Sequence, residues 1–224
     1  MKTLAAVVLP LMVGLQGYAQ TSQSNVNVDS AVQVGGAALG ATNKQKFEIG
    51  NTANGGKSNV NVGSVVQAGG AGVAAANDQK LAIGNATGSS SSANVRAGSV
   101  VQLGGAGVGA SSRQVLELGN ASGGGKSNVN IGNVVQFGGA GVGSTNSQTI
   151  KAGNAESGGK SNVRMDAIVQ VGGAALGGAN KQNIEIGNAA NGQTSNVSAG
   201  TIVQAGGSAL GLGNKQSIRL GNAR

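Results

Sequence analysis

Side-chain amides are the hydrogen-bonding groups that recur most regularly along this 224-residue chain. Each Asn or Gln carries an acceptor oxygen and a donor NH2 group, so identical amides stacked one strand spacing apart, about 4.8 Å, hydrogen-bond in a ladder. The amides recur with the phrase Ser-Asn-Val, which begins at residues 24, 58, 127, 161 and 195, with the variant Ala93-Asn94-Val95 between them. Successive starts lie 34 or 35 residues apart, and a fixed period of this size indicates a repeat array.

Aligned by this period, the units place their amides in four columns, which we predict to be the stacking and self-assembly positions. The first column follows the opening Ser or Ala, two columns of Gln follow it, and the fourth lies in the Gly-Asn pair that closes each unit. Identical amides stacked in register are typical of cross-β assemblies. The columns are Asn25, Asn59, Asn94, Asn128, Asn162 and Asn196; Gln33, Gln67, Gln102, Gln136, Gln170 and Gln204; Gln45, Gln79, Gln114, Gln148, Gln182 and Gln216; and Asn51, Asn85, Asn120, Asn154, Asn188 and Asn222.

The segments that must position these amides have the pattern of strands. Asn59-Val60-Asn61-Val62 alternates polar and apolar residues, as half-buried strands do. In the second unit we predict strong strands over 59–67 and 79–83, a weaker short strand around Val73, and two opposed sheets. An extra residue in the Ser-rich link 88–92 is expected to lie in an exposed turn. The sequence therefore predicts an all-β fold, a β-solenoid or cross-β stack of six strand-turn-strand repeats of about 34 residues.

The remaining composition argues against catalytic chemistry. The chain has no His and no Cys, which removes the usual general bases, thiol nucleophiles and transition-metal ligands. Its seven acidic residues do not cluster by spacing, so neither a paired-carboxylate site nor a calcium repeat is indicated. The 43 Gly residues lack a triplet period, which excludes collagen, and 39% hydrophobic residues in regular columns disfavour simple disorder. We therefore expect that this protein is not an enzyme and that it has no cofactor and no metal site.

The first 19 residues have the layout of a secretory signal peptide. Lys2 supplies the charged start, residues 4–15 form an apolar run, and Ala19 is a small residue suited to cleavage before Gln20. The run is too short for a membrane-spanning helix, so no span is expected in the mature chain. We predict a secreted, extracellular or cell-surface protein with a short segment over 20–23 and the solenoid over 24–224, its repeats starting at 24, 58, 93, 127, 161 and 195.

The two ends of such a stack carry unpaired backbone N–H and C=O groups, which natural solenoids protect with capping units, charges or Pro. No unit between residues 24 and 222 differs enough to act as a cap, and no Pro occurs there. One outward column consists of Glu48, Ala82, Glu117, Lys151, Glu185 and Arg219. In a stack of copies, Arg219 of one copy would lie next to Glu48 of the following copy. We therefore predict a head-to-tail homopolymer.

This layout resembles the bacterial functional amyloids, chiefly the curlin type and more loosely the Fap type, over residues 24–222. These units are longer than curlin repeats. The resemblance implies export through an outer-membrane secretion channel, polymerisation started by a nucleator at the cell surface, and a role in biofilm matrix, adhesion or cell cohesion. It is carried by the signal segment, the tandem units and the repeated residues Ser58, Asn59, Gln67, Gly69, Asn77 and Gln79 with their copies.

The net charge of +8 leaves a partner and an alternative function open. Lys57, Lys126 and Lys160 occupy equivalent turns, where a broken basic stripe would attract acidic polysaccharide or extracellular DNA or would serve solubility alone. The alternative function is a monomeric secreted β-solenoid adhesin or a surface- or ice-binding protein. An ice-binding face wants regular ranks of Thr, whereas Thr is scattered along this chain.

Overall fold

The structure is a computed structural model. It describes residues 23–40, 42–53, 57–74, 76–87, 92–109, 111–123, 126–143, 145–156, 160–190, 194–207, 209–210 and 213–221, which form 18 strands and no helix. The signal-peptide prediction and the segment over 20–22 lie outside the described residues. The strands are β1 (Gln23–Val34), β2 (Ala38–Leu39), β3 (Asn43–Ile49), β4 (Lys57–Ala68), β5 (Gly72–Val73), β6 (Asn77–Ile83), β7 (Ser92–Leu103), β8 (Gly107–Val108), β9 (Ser112–Leu118), β10 (Lys126–Phe137), β11 (Gly141–Val142), β12 (Asn146–Ala152), β13 (Ser161–Val171), β14 (Ala175–Leu176), β15 (Asn180–Ile186), β16 (Ser195–Ala205), β17 (Ala209–Leu210) and β18 (Asn214–Leu220).

The strands stack in parallel as three six-stranded sheets, which together make a β-solenoid. The long sheet contains β1, β4, β7, β10, β13 and β16, the narrow sheet contains the two-residue strands, and the return sheet contains β3, β6, β9, β12, β15 and β18. Each rung of the solenoid contributes one strand to each sheet. The prediction of two opposed sheets was therefore incomplete, because the weak strand around Val73 forms a third sheet at the bend between the other two.

Equivalent residues of neighbouring units pair directly with each other. Ser58 pairs with Ala93 and Gly72 with Gly107, and the offset of 35 residues persists through Asn77 and Ser112. The next rung returns to an offset of 34 residues. The extra residue therefore falls between Thr87 and Ser92, where it leaves the register of every described strand unchanged.

The core lies between the long sheet and the return sheet. In the second rung Val60, Val62 and Val65 of the long sheet pack in the same cluster as Leu81 and Ile83 of the return sheet, and all five side chains are at most 3% exposed. The alternation of inward and outward residues slips once in each long strand, because residues 63 and 64 both lie on the outer side. Because of this slip, the valine that precedes each Gln of the Gln33 column points outward.

Glycine is required where the rungs approach most closely. At Gly104 a Cβ atom would lie 2.2 Å from the backbone nitrogen of Gly139 in the next rung. Gly84, which begins a Gly-Asn pair, has a φ of +78°, and a Cβ atom there would also strike Val95 at 2.1 Å. The Gly-Gly and Gly-Asn pairs of the sequence are therefore the places where the chain turns, and no other residue type fits both turns.

Candidate assembly surfaces

The two Gln columns form continuous ladders inside the solenoid. Each Gln Nε2 of one rung donates to the Gln Oε1 of the preceding rung, over 2.7–2.9 Å in the Gln33 column and 2.8–3.2 Å in the Gln45 column. Gln67 and Gln102 are 0% exposed and Gln79 and Gln114 are 1% exposed. Because buried amides without partners are costly, these ladders hold the register of the rungs.

The Asn columns form ladders of the same sense nearer the surface. Asn Nδ2 donates to the preceding Asn Oδ1 over 2.8–3.0 Å along the whole Asn25 column. The Asn51 column repeats this pattern over 3.0–3.2 Å as far as Asn188. Asn222, the last predicted member, lies outside the described residues. All the predicted amides that the structure describes are thus brought together within their own columns.

A fifth amide ladder was missed as a stacking position. Asn43, Asn77, Asn146, Asn180 and Asn214 lie in register at the start of the return strands. Here the donor direction is reversed, since Asn43 Nδ2 donates to Asn77 Oδ1 over 3.1 Å and Asn146 Nδ2 donates to Asn180 Oδ1 over 3.0 Å. Ser112 interrupts the ladder, and its buried hydroxyl has no hydrogen-bond partner among the described residues. The recurrence of Asn at this position in five of the six units was the signal that could have identified it.

The opening Ser of each unit has a structural role that the sequence pattern did not reveal. The hydroxyl groups donate to the carbonyl oxygen of the glycine that directly follows the return strand of the previous rung. The donors Ser58, Ser127 and Ser161 are fully buried. Each bond joins the beginning of one unit to the end of the previous one. The glycines that accept are Gly50, Gly119, Gly153 and Gly187.

The outward charges of the return strands pair along and across rungs. Lys80 contacts Glu117 of the next rung at 3.0 Å, and Arg219 contacts Glu185 of the previous rung at 3.8 Å. Lys46, which stacks on Lys80, contacts Glu48 within its own strand at 2.8 Å. These pairs are solvent-exposed, so each contributes about 0–1 kcal/mol. They favour the register without deciding it.

Cations gather on the outer face of the first half of the long sheet. Lys57, Lys126 and Lys160 lie in one column, which Ser92 interrupts. Arg96 and Arg164 are exposed on a nearby outward column of the same face, beyond the Asn25 ladder. The predicted basic stripe is thus broader than three lysines. A polyanion lying along the solenoid axis would meet these charges in succession.

The two ends of the solenoid leave core side chains open to solvent. Ile184 and Ile186 are 0% exposed, whereas their equivalents in the last rung, Ile218 and Leu220, are 46% and 48% exposed. At the other end Phe47 is only partly buried against the core. Strands β1 and β16 each have a single neighbour in the long sheet. Within the residues that the structure describes, both ends therefore present apolar side chains and a strand edge without a partner.

The amide ladders give the two ends opposite chemistry. At the first rung the NH2 groups of Asn25, Gln33 and Gln45 have no acceptor among the described residues, because in these columns each donor reaches the rung before it. At the last rung the amide oxygens of Gln204 and Gln216 receive no bond from the described residues. A first rung placed on a last rung would continue the Asn25, Gln33 and Gln45 ladders, whereas two first rungs would oppose donor to donor.

The described residues form neither a metal-binding cluster nor a membrane-spanning helix. No group of three or more His, Asp or Glu side chains is arranged to hold a metal ion among them. No helix among the described residues is long and apolar enough to cross a membrane.

No family model, no curated protein and no solved structure matches this chain.

Proposed function

We propose that this protein is a secreted structural subunit that polymerises head to tail into an extracellular amyloid-like fibre. The observation that carries the proposal is the pair of open, complementary ends, where Ile218 and Leu220 are about half exposed although their equivalents one rung earlier are fully buried. Complete burial of an exposed Ile or Leu contributes about 1.5–3 kcal/mol, and about half of this remains to be gained at each of these half-exposed side chains. A second copy that adds its first rung would cover both and would pair the free strand edges.

The ladder chemistry supports one direction of growth. The first rung offers amide donors and the last rung offers amide acceptors in the Asn25, Gln33 and Gln45 columns. In the charge column Arg219 of one copy would stand beside Glu48 of the next, which extends the contact between Arg219 and Glu185. Lys215 would stand beside Lys44, a like pair that works against stacking. The apolar and amide contacts outnumber this one repulsion.

The biological setting is part of the proposal. As in the curlin type, the fibre would contribute to biofilm matrix, adhesion or cohesion after export through a secretion channel and nucleation at the cell surface. The cations of the long sheet, among them Lys126 and Arg96, would hold acidic polysaccharide or extracellular DNA along the fibre. Since the predicted signal peptide would direct the chain out of the cell, these polyanions are the ones within reach.

Assembly state is the measurement that tests the proposal. The purified chain without residues 1–19 is incubated without seed, and thioflavin fluorescence, sedimentation and fibre diffraction are followed. We expect fibres with a reflection near 4.8 Å along the fibre axis. A chain that remains a soluble monomer would contradict the proposal and would favour the alternative of a monomeric secreted adhesin, which has the same fold.

A matched pair of variants tests the open end itself. Ile202 is half-buried at the inward side of the last long strand, and Thr201 beside it points outward. Ile202→Lys places a charge where the next copy must dock, so we expect folded chains that do not elongate. Thr201→Lys adds the same charge on the outer face of the strand, beside Ser30 of the next copy and away from the core, and should elongate like the wild type. Equal elongation of the two variants would show that this end is not the growing surface.

A further inference from the structure

An apolar edge runs along the solenoid where the narrow sheet joins the long and return sheets. In the second rung it consists of Ala71, Gly72 and Val73, flanked by the outward residues Val66 and Ala68 of the long sheet, and the equivalents in other rungs extend it. Leu39, Val108 and Leu210 of the narrow sheet are 85%, 54% and 70% exposed. The described members of these columns carry no charged side chain.

The apolar edge has the shape of a ridge beside a groove. The ridge is the column of Val and Leu side chains that contains Val73, and the groove is lined by this column, by the alanine column that contains Ala71 and by the glycines between them. Both features follow the axis and repeat once per rung. A ridge of this kind fits a groove of the same kind when the two repeat at the same spacing.

The size of the apolar edge indicates that single chains and fibres differ in what they can bind. Six rungs of about 4.8 Å, and the six residues from Ala68 to Val73 at no more than about 3.3 Å each, give an area of at most about 600 Å2 per chain. A stable interface buries about 800 Å2 on each partner. One chain falls short of this value, whereas two chains stacked end to end exceed it.

We propose that the apolar edge is the surface through which two fibres of this chain pair side by side, each placing its ridge in the groove of the other. The inference rests on the proposed fibre, because only a second copy presents apolar ridges at the same strand spacing over the same length. The net charge, which is +8 for the whole chain and +7 once Lys2 is removed with the predicted signal peptide, opposes association elsewhere on the surface, but the apolar edge itself is uncharged. Thin filaments therefore form first and pair once they have lengthened.

The test compares two lysine substitutions in the fourth rung. Val142→Lys introduces a charge into the ridge, where Val142 is 48% exposed, and Thr149→Lys introduces the same charge on the outer face of the return sheet. Mass per length is measured by scanning transmission electron microscopy after fibres have formed. We expect two chains per ~29 Å for the wild type and for Thr149→Lys, and one chain per ~29 Å for Val142→Lys.

A second variant guards against a folding defect. Val142→Thr keeps the β-branched shape and the strand preference but makes the ridge polar, so it should also shift the fibres toward one chain per rung stack. Wild-type fibres with one chain per ~29 Å, or Val142→Lys fibres that still hold two, would overturn the pairing and leave the fibre proposal standing. A wild-type chain that forms no fibres would overturn both. Wild-type chains that bind phosphatidylcholine vesicles, together with Val142→Lys chains that do not bind them and no change in mass per length, would assign the apolar edge to a membrane surface instead.

Discussion

Two amides on one strand show that ladders of the same geometry have different effects on stability inside the solenoid and at its surface. Gln102 and Asn94 both lie on β7, and each bonds the equivalent amides above and below over 2.7–2.9 Å. Gln102 is 0% exposed, whereas Asn94 lies at the outer surface. Water can replace the partners of Asn94 but cannot reach those of Gln102. Register is therefore enforced by the inner ladders, and the outer ladders add direction and surface chemistry.

The largest expected effect comes from charging the inner ladder. Gln102→Lys places an ammonium group among buried amides, and an unpaired buried charge costs about 3–5 kcal/mol. We expect loss of cooperative unfolding in circular dichroism and failure to form fibres. Gln67→Lys and Gln79→Lys, which also lie at 0% and 1% exposure, should behave alike. Asn94→Lys is the matched control, and an equal loss there would erase the distinction between the ladders.

Removing the inner amide without adding charge should have the next largest effect. Gln102→Leu leaves Gln67 Oε1 without its donor and Gln136 Nε2 without its acceptor. Each orphaned buried group costs about 1–3 kcal/mol. The free energy of unfolding from urea titration should fall by this order, whereas Asn94→Ala should lower it by less than about 1 kcal/mol. Similar losses for the two variants would mean that water reaches the inner ladder.

The gap at Ser112 allows the comparison to be run in the opposite direction. Ser112→Asn would supply an oxygen for Asn77 Nδ2 and a donor for Asn146 Oδ1, in the sense that the neighbouring bonds already follow. We expect the free energy of unfolding to rise by about 0.5–1.5 kcal/mol, because a buried hydroxyl without a partner is replaced by a continuous ladder. A lower midpoint in urea would indicate that the space beside Ser112 is too small.

The smallest effect is expected at the exposed charge column. Lys151 stands in register between Glu117 and Glu185, so Lys151→Glu creates three acidic residues in succession. Facing charge pairs contribute about 0.2–1 kcal/mol, and salt screens them. The loss of stability should therefore be small and should shrink between low and high NaCl concentrations. A loss independent of salt would point to packing instead of charge.

Much of the architecture follows from the spacing of identical residues. The columns of Gln67 and Asn59 were predictable because a period of 34 residues admits only one in-register alignment of the units. The facing of the side chains was not predictable from alternation alone, since the slip at Gly63 and Ser64 turns Gln67 inward and Val66 outward. The apolar edge was hidden for the same reason. Which of several valine columns lies outside depends on where the slip occurs.

The ends could be inferred from sequence only as an absence of capping features. Their chemistry depends on the direction in which each amide is oriented, and Asn or Gln is compatible with either direction. The Asn43 ladder shows this, because its NH2 groups donate toward the following rung, whereas those of the other ladders donate toward the preceding rung. The NH2 group of Asn43 also donates to the carbonyl oxygen of Gly36. Backbone carbonyls in the bends therefore select the orientation of the amide. The sequence pattern predicted where the bends lie but not their backbone conformation.

The extra residue between Thr87 and Ser92 shows that the register of the strands tolerates a change in the length of a link. A gene encoding such a protein can gain or lose a whole unit by unequal recombination without creating a new contact, because each rung meets only copies of itself. The length of the subunit is then free to drift. If the proposed fibre forms, a foreign peptide inserted between Thr87 and Ser92 would recur once per copy along it.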